Sequence, residues 1–288
     1  MQVQEDSLPG LYQSANKASL YAQNIYYLCL SFYLGILVIA AAVSFFVPVN
    51  TYGAVVSALL FFVTLGILIY LKTYKPDDTW YNGRAVAESV KTLSWKWMMK
   101  AEPFHEDNSS EVNFINDLKN VLKQNQSLST ILNSSEGAKE PITDMMRTIR
   151  SLSFDSRKTL YKNQRIDDQA DWYSKKATFN KKRASRWFRI AVLLHSAAII
   201  MLIFRVYDSS QSLPVAVIAT AASAVLTWIQ AKKHNELSSS YSLAAHEIGF
   251  IKSEWKSITE RDFSDFVINT ENAFSREHTQ WIARKVDT

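Results

Sequence analysis

The chain has 288 residues, a formal net charge of +5 and one cysteine. A single thiol makes no internal disulfide, so no oxidising compartment is implied, and seven glycines with six prolines are too few for the tight turns of a β-rich fold. The basic balance does not mark a nucleic-acid binder, because Lys and Arg gather beside long apolar runs, where membrane topology requires them.

The N-terminal stretch carries Glu5 and Asp6 with only Lys17 as a cation, which does not read as a cleaved signal peptide. The first apolar run, Ile25 to Val47, contains no charge. At 1.5 Å per residue it reaches roughly 34 Å, enough to cross a bilayer core with some tilt. Cys29 lies inside it and reads as a small packing or lipid-facing residue. A second uncharged run extends from about Tyr52 to Leu71. Only Pro48, Val49, Asn50 and Thr51 separate the two, which forces an antiparallel hairpin. Tyr26, Tyr27, Tyr52 and Tyr70 sit near the ends, where amphipathic rings prefer the interface.

Beyond the first hairpin, Glu, Lys, Ala, Leu and Gln dominate, with apolar residues at 3–4 spacing, as amphipathic helices require. In WYNGRAVAESVKTLSWKW, Glu88 and Lys91 are spaced for an intrahelical pair. Trp95 and Trp97, two residues apart, cannot share a face. One is expected to pack on a neighbouring helix, the other to meet a second subunit or the membrane interface. Residues 102–110 read as a less ordered loop, and the polar stretch 133–137 as a boundary. The acidic cluster Asp167, Asp168 and Asp171 reads as a solvated or cation-paired helix face.

The third run, Ile190 to Phe204, is the shortest. With Trp187, Phe188, Val206 and Tyr207 it becomes a span of about 187–207, whose Arg189 and Arg205 snorkel to opposite interfaces. It is expected to be the weakest of the four. His195 sits inside it, either lining a path or held as a neutral imidazole by a neighbouring helix. The fourth run covers about 213–230. Ala216, Thr220 and Ala224 form one stripe of small residues on it and Ala219, Ser223 and Thr227 another, suited to close helix packing or to lining a wet path.

Lys72 and Lys75 follow span two, Lys181, Lys182, Arg183, Arg186 and Arg189 precede span three, and Lys232 and Lys233 follow span four. The positive-inside bias therefore places both termini and the central region in the cytoplasm. A constant shift of 159 residues lays the first hairpin on the second, Glu88 on Glu247, Ala85 on Ala244 and Ser94 on Ser253. This reads as a duplication with units 1–140 and 141–288. The expected fold is all-α, an integral membrane protein of two hairpins with long cytosolic amphipathic helices.

No GxGxxG, GxxxxGK[ST] or GxSxG occurs. His246-Glu247 opens like an HExxH zinc motif, but Phe250 stands where the second histidine belongs. No enzyme, cofactor or metal is expected.

RIDDQADWYSKKATFNKKR before span three, with Asp168, Gln169, Trp172, Tyr173, Lys176, Ala177 and Asn180, and the terminal ENAFSREHTQWIARK, with Glu271, Glu277, His278 and Trp281, resemble SLATT domains. These are the SMODS and SLOG-associating two-transmembrane effector domains, also described as DUF4231-like. WYNGRAVAESVKTLSWKW is similar to a related subtype, with Trp80, Arg84, Glu88, Lys91, Trp95 and Trp97. The resemblance implies a tandem of two such units in a prokaryotic inner-membrane effector of conflict or anti-phage systems, which oligomerises and forms pores. It also implies a trigger, either a cytosolic sensor protein or a nucleotide second messenger. Pore or packing candidates are then His195, Ala216, Ala219, Thr220, Ser223 and Thr227, and cytosolic helix contacts are Arg84, Glu88, Trp95, Trp172, Glu247, Glu277 and Trp281. Two other readings stay open. One is a non-conducting scaffold that recruits a cytosolic partner, favoured by the lack of charge deep in any span. The other is a small housekeeping ion channel.

Overall fold

The computed structural model describes residues 2–48, 50–128 and 131–286, with side chains at these positions except 127 and 276–286. Among the described residues regular structure is helical throughout, with no strand, as the composition requires. The order is α1 (Gly10–Phe46), α2 (Thr51–Tyr74), α3 (Pro76–Met98), α4 (Asp107–Gln124), α5 (Ser134–Gly137), α6 (Asp144–Arg150), α7 (Phe154–Tyr161), α8 (Asp167–Tyr207), α9 (Val215–Lys232), α10 (His234–Glu254) and α11 (Phe263–Val286). A single π-helical turn, Lys162–Ile166, joins α7 to α8.

The helices form two compact units, and neither is continuous in sequence. An apolar unit gathers Asn24–Pro76 and Ala177–Ser239. It contains the four segments long and apolar enough to cross a membrane. Large apolar side chains such as Phe32, Phe62, Leu193 and Ile203 are exposed all along them, which is how a lipid-facing surface looks when no lipid is present. The fourth segment, not the third, is the least hydrophobic. Alanines, a serine and threonines dilute it, whereas the charges of the third lie outside its apolar run.

In the first hairpin, the Asn50 side chain accepts from the Gly53 backbone N–H (2.9 Å) and caps α2. A Cβ on Gly53 would stand 3.0 Å from the Pro48 carbonyl oxygen, so the turn admits glycine there with least strain. Each second span ends on a lysine in the left-handed region, Lys75 (φ 42°) after α2 and Lys233 (φ 47°) after α9. Their N–H groups close on Leu71 and Ile229 carbonyls, the αL cap that glycine usually supplies. Pro76, which cannot follow an α-helical residue comfortably, explains the first.

A polar unit gathers Met1–Gln23, Asp77–Lys176 and Ser240–Thr288. Its core is built on α3, where Val86, Ala87, Val90, Ser94, Trp97 and Met98 recur at 3–4 spacing and are all buried. Tyr12, Phe114, Ile149, Tyr161, Ile166 and Val267 fill the space around it. Gly83 lets α1 and α3 approach closely. A Cβ there would lie 3.1 Å from the Ala15 carbonyl oxygen and 3.2 Å from the Ser19 Cβ.

Two local expectations are corrected. Both Trp95 and Trp97 are buried in this unit, against Tyr161 and Phe114 respectively, because Arg150 folds over the Trp97 ring at 4.9 Å and encloses it. Residues 102–106 are not loosely held. Phe104 is fully buried, and Arg150 donates to the carbonyls of Trp97 (2.6 Å) and Phe104 (2.8 Å), with Asp107 completing its coordination at 2.7 Å.

Candidate functional site

The candidates of the apolar unit do not converge on an interior path within one chain. His195 is exposed on α8, and its Nδ1 lies 2.8 Å from the Ala191 carbonyl oxygen one turn back, so the ring is held by its own helix and not by a neighbour. On α9 the sole residue buried, among those described, is Ala222. Ala216, Ala219, Ser223 and Thr227 are exposed and Thr220 is half-buried. The Thr220 and Thr227 hydroxyls donate to the carbonyls of Ala216 (2.9 Å) and Ser223 (3.0 Å), which satisfies them without water. One face of α9 is therefore made of small residues that are exposed among the described residues. Near the end of that helix, Lys232 lies 3.1 Å over the Tyr27 ring and 4.9 Å from that of Trp228, and Trp187 meets Trp228 edge-on. Aromatics and a cation of this kind belong at a bilayer interface.

The candidates of the polar unit are helix contacts of varied kind. Arg84 pairs with Glu88 at 2.5 Å, one turn apart on α3. Among the described residues Glu88 and Lys91 make no close ion pair, although the Glu88 charge acts on Lys91; the guanidinium four residues before Glu88 takes its carboxylate. Trp172 meets Tyr173 and Tyr241 edge-on, joining α8 to α10. Glu247 is half-buried beside a groove between α10 and α11. Asp167 is paired with Lys162 (2.7 Å) and Lys252 (2.6 Å), and Asp171 with Lys175 (3.8 Å), as a cation-paired face requires. The expected contacts of Glu277, His278 and Trp281 lie outside the described residues. Among the described residues no group of three or more His, Cys, Asp or Glu is placed to hold a metal.

The most unusual chemistry lies where sequence reasoning did not look. Glu271 on α11 is fully buried and Arg165, on the π-helical turn, is 2% exposed. They form a two-point ion pair, Arg165 Nε to Glu271 Oε1 at 2.8 Å and Nη2 to Oε2 at 2.7 Å. Tyr161 donates to the same carboxylate at 3.0 Å and Thr92 at 3.1 Å. Burial and the Glu271 charge push the Tyr161 phenol well above its ordinary range. Arg165 Nη1 has no acceptor among the described residues. The extra residue of a π turn re-aims the side chains around it, and such turns are frequent at functional sites.

Beside this pair is a cavity of about 400 Å³, enclosed by the N-terminal segment, α3 and the start of α8. Val3 donates its N–H to the Gln164 side chain at 2.7 Å, which fastens the segment across it. Tyr12, Trp95 and Trp172 are its aromatic residues; Lys91 and Arg165 supply cations; Glu5, Asp168 and Asp171 supply carboxylates. Lys91 is half-buried, and no hydrogen bond or ion pair reaches its ammonium among the described residues. Burial, then repulsion from Arg165, pushes its pKa down. A buried pair held by four bonds, next to an unpaired cation and an aromatic wall, can hold a ligand; nothing in it is arranged as nucleophile and base.

Residues 9–158 match the model of the SMODS and SLOG-associating 2TM effector domain 3, and residues 161–281 that of the SMODS and SLOG-associating 2TM effector domain 1. No curated protein and no solved structure matches the chain.

Proposed function

The chain belongs, in two successive copies, to the SMODS and SLOG-associating two-transmembrane effector domains, and on that premise we propose that it is an oligomeric effector that permeabilises the bacterial inner membrane on a cytosolic signal, with no catalytic step of its own. The observation that carries this reading is the face of α9. Ala216, Ala219, Ser223 and Thr227 are exposed there, and small residues of this kind let a second helix approach closely. His195 is likewise exposed, and in a membrane-spanning segment an ionisable ring calls for a polar partner or a wet path, which a second copy provides. The polar unit, with its cavity and buried pair, is the natural receiver of the signal, a nucleotide second messenger or a sensor protein. A ligand shifts such an assembly only by binding the open state better than the closed one. The positive-inside rule puts the polar unit and both termini in the cytoplasm.

The test is dye release from liposomes holding the purified protein, with and without candidate triggers, alongside membrane potential in overexpressing cells. Ala219→Leu and Ser223→Leu are expected to reduce assembly and release together. Reporter fusions after residues 140 and 288 should both signal cytoplasm, and a periplasmic signal from either refutes the topology. One observation favours a non-conducting scaffold as the second reading. The α9 hydroxyls are already satisfied by their own helix, so that face does not need water. No release under any trigger, with an intact membrane potential, decides for the scaffold.

A further inference from the structure

Lys91 and Arg165 stand side by side at the cavity beneath the N-terminal segment. Arg165 spends Nε and Nη2 on Glu271 and leaves Nη1 without an acceptor, in a place that excludes water. No hydrogen bond or ion pair reaches the Lys91 ammonium among the described residues. Glu5 is occupied by the Tyr12 hydroxyl (3.1 Å) and Asn16 (3.2 Å), and Asp171 by Lys175. Lys91 is thus the cation at the cavity without an ion-pair partner among the described residues, since Glu271 neutralises Arg165. Trp172 is its half-buried aromatic wall, on which a planar group can pack, whereas Trp95 and Tyr12, each 2% exposed, present almost no surface to it. Its volume is that of ordinary small-molecule sites.

We propose that this cavity is a binding site for a small anionic ligand built on a flat ring, an aryl or heteroaryl phosphate or carboxylate, whose anion lies against Lys91 and whose ring packs on Trp172. The site rests on the receiver role given above to the polar unit, but binding is measured without reference to membrane leakage. Lys91 contributes the charge, Trp172 the half-buried wall, and Asp168 at the same cavity opposes an anion. The N-terminal segment, fastened by Val3 to Gln164, closes over the ligand.

The experiment is isothermal titration of the full-length, detergent-solubilised protein with phenyl phosphate. Benzoate separates a carboxylate from a phosphate as the preferred anion, inorganic phosphate removes the ring, and benzyl alcohol removes the charge. Saturable binding of phenyl phosphate or benzoate is expected, at least tenfold tighter than either inorganic phosphate or benzyl alcohol. Lys91→Gln should weaken it about tenfold or more, Lys91→Arg should keep most of it, and Asp168→Asn should strengthen it. Thermal unfolding of each variant in the absence of ligand separates lost binding from lost folding. The proposal is overturned by an absence of saturable heat with both ring anions, or by wild-type affinity in a folded Lys91→Gln chain. Binding without any vesicle leakage would sink the permeabilisation reading and leave the site standing; leakage without binding would do the reverse.

Discussion

Replacing Glu271 with Gln removes one charge from a place that water does not reach. Glu271 is fully buried and Arg165 is 2% exposed, so neither can recover solvation when the other is lost. The amide keeps one oxygen for Tyr161 or the guanidinium, but its NH₂ faces donors and cannot accept from them. Breaking a buried pair by removing one partner costs about 3–5 kcal/mol, because the remaining charge is left uncompensated. For a chain of this size, at roughly 2–4 °C per kcal/mol, the melting temperature should fall by about 6–20 °C. Arg165→Met should cost less, since the carboxylate left behind can take up a proton and still accept from Tyr161 and Thr92. The double variant Arg165→Met with Glu271→Gln removes both charges and should melt above Glu271→Gln alone, and the cycle of singles and double isolates the coupling between them. Thermal unfolding followed by tryptophan fluorescence reads this, because Trp95 packs edge-on against Tyr161 beside the pair, at 5.7 Å between ring centroids. A Glu271→Gln chain that melts within about 2 °C of wild type, or a double variant that loses the sum of the two singles, refutes the reasoning.

The phenols of Tyr12 and Tyr161 are both held above their ordinary range, chiefly by burial and then by nearby carboxylates. A phenol whose pKa is raised on folding adds stability that is whole below about pH 10 and lost as pH climbs beyond it. In an alkaline titration followed by tyrosinate absorbance, these two should ionise only with unfolding. Lys75 and Lys233 hold a conformation that costs a non-glycine residue roughly 1–2 kcal/mol. Lys75→Gly and Lys233→Gly should therefore be neutral or raise the melting temperature, whereas valine at either position should lower it. At Gly83, alanine gains helix propensity and loses space, so it should be near neutral. Leucine should drive α1 and α3 apart at a cost of about 1–3 kcal/mol, visible as a lower unfolding midpoint.

The first two spans and the all-helical class were legible because an uncharged run of about twenty residues has few alternatives, and the shorter third run was legible through the fourth that follows it closely. The strength of a span was less so. Arg189 and Arg205 drew attention to the third, while the alanines and threonines of the fourth dilute its apolar character without any charge. Helix spacing pointed to Glu88 and Lys91 as a pair, but Arg84 has the same carboxylate within reach from the preceding turn. A local rule cannot rank two candidates. Arg165 and Glu271 are 106 positions apart, and no short-range pattern joins them. One signal was present. Val267, Thr270 and Phe274 line the buried face of α11, and Glu271 falls among them at 3–4 spacing, a carboxylate on an apolar stripe. Trp97 misled for a related reason: its burial depends on Arg150, which arrives from α6.

The polar unit is assembled from three separated stretches of chain, and this sets an order in time. During synthesis the residues up to Lys176 emerge long before α11, so Arg165, Tyr161 and Thr92 exist for the making of some hundred further residues without the carboxylate they converge on. Domains generally fold as units while the chain is being made, yet this one cannot close until the second hairpin has been passed to the bilayer. Insertion therefore comes first and the final packing of the polar unit last. A chain that stalls between the two hairpins holds an unneutralised guanidinium in an unfinished core.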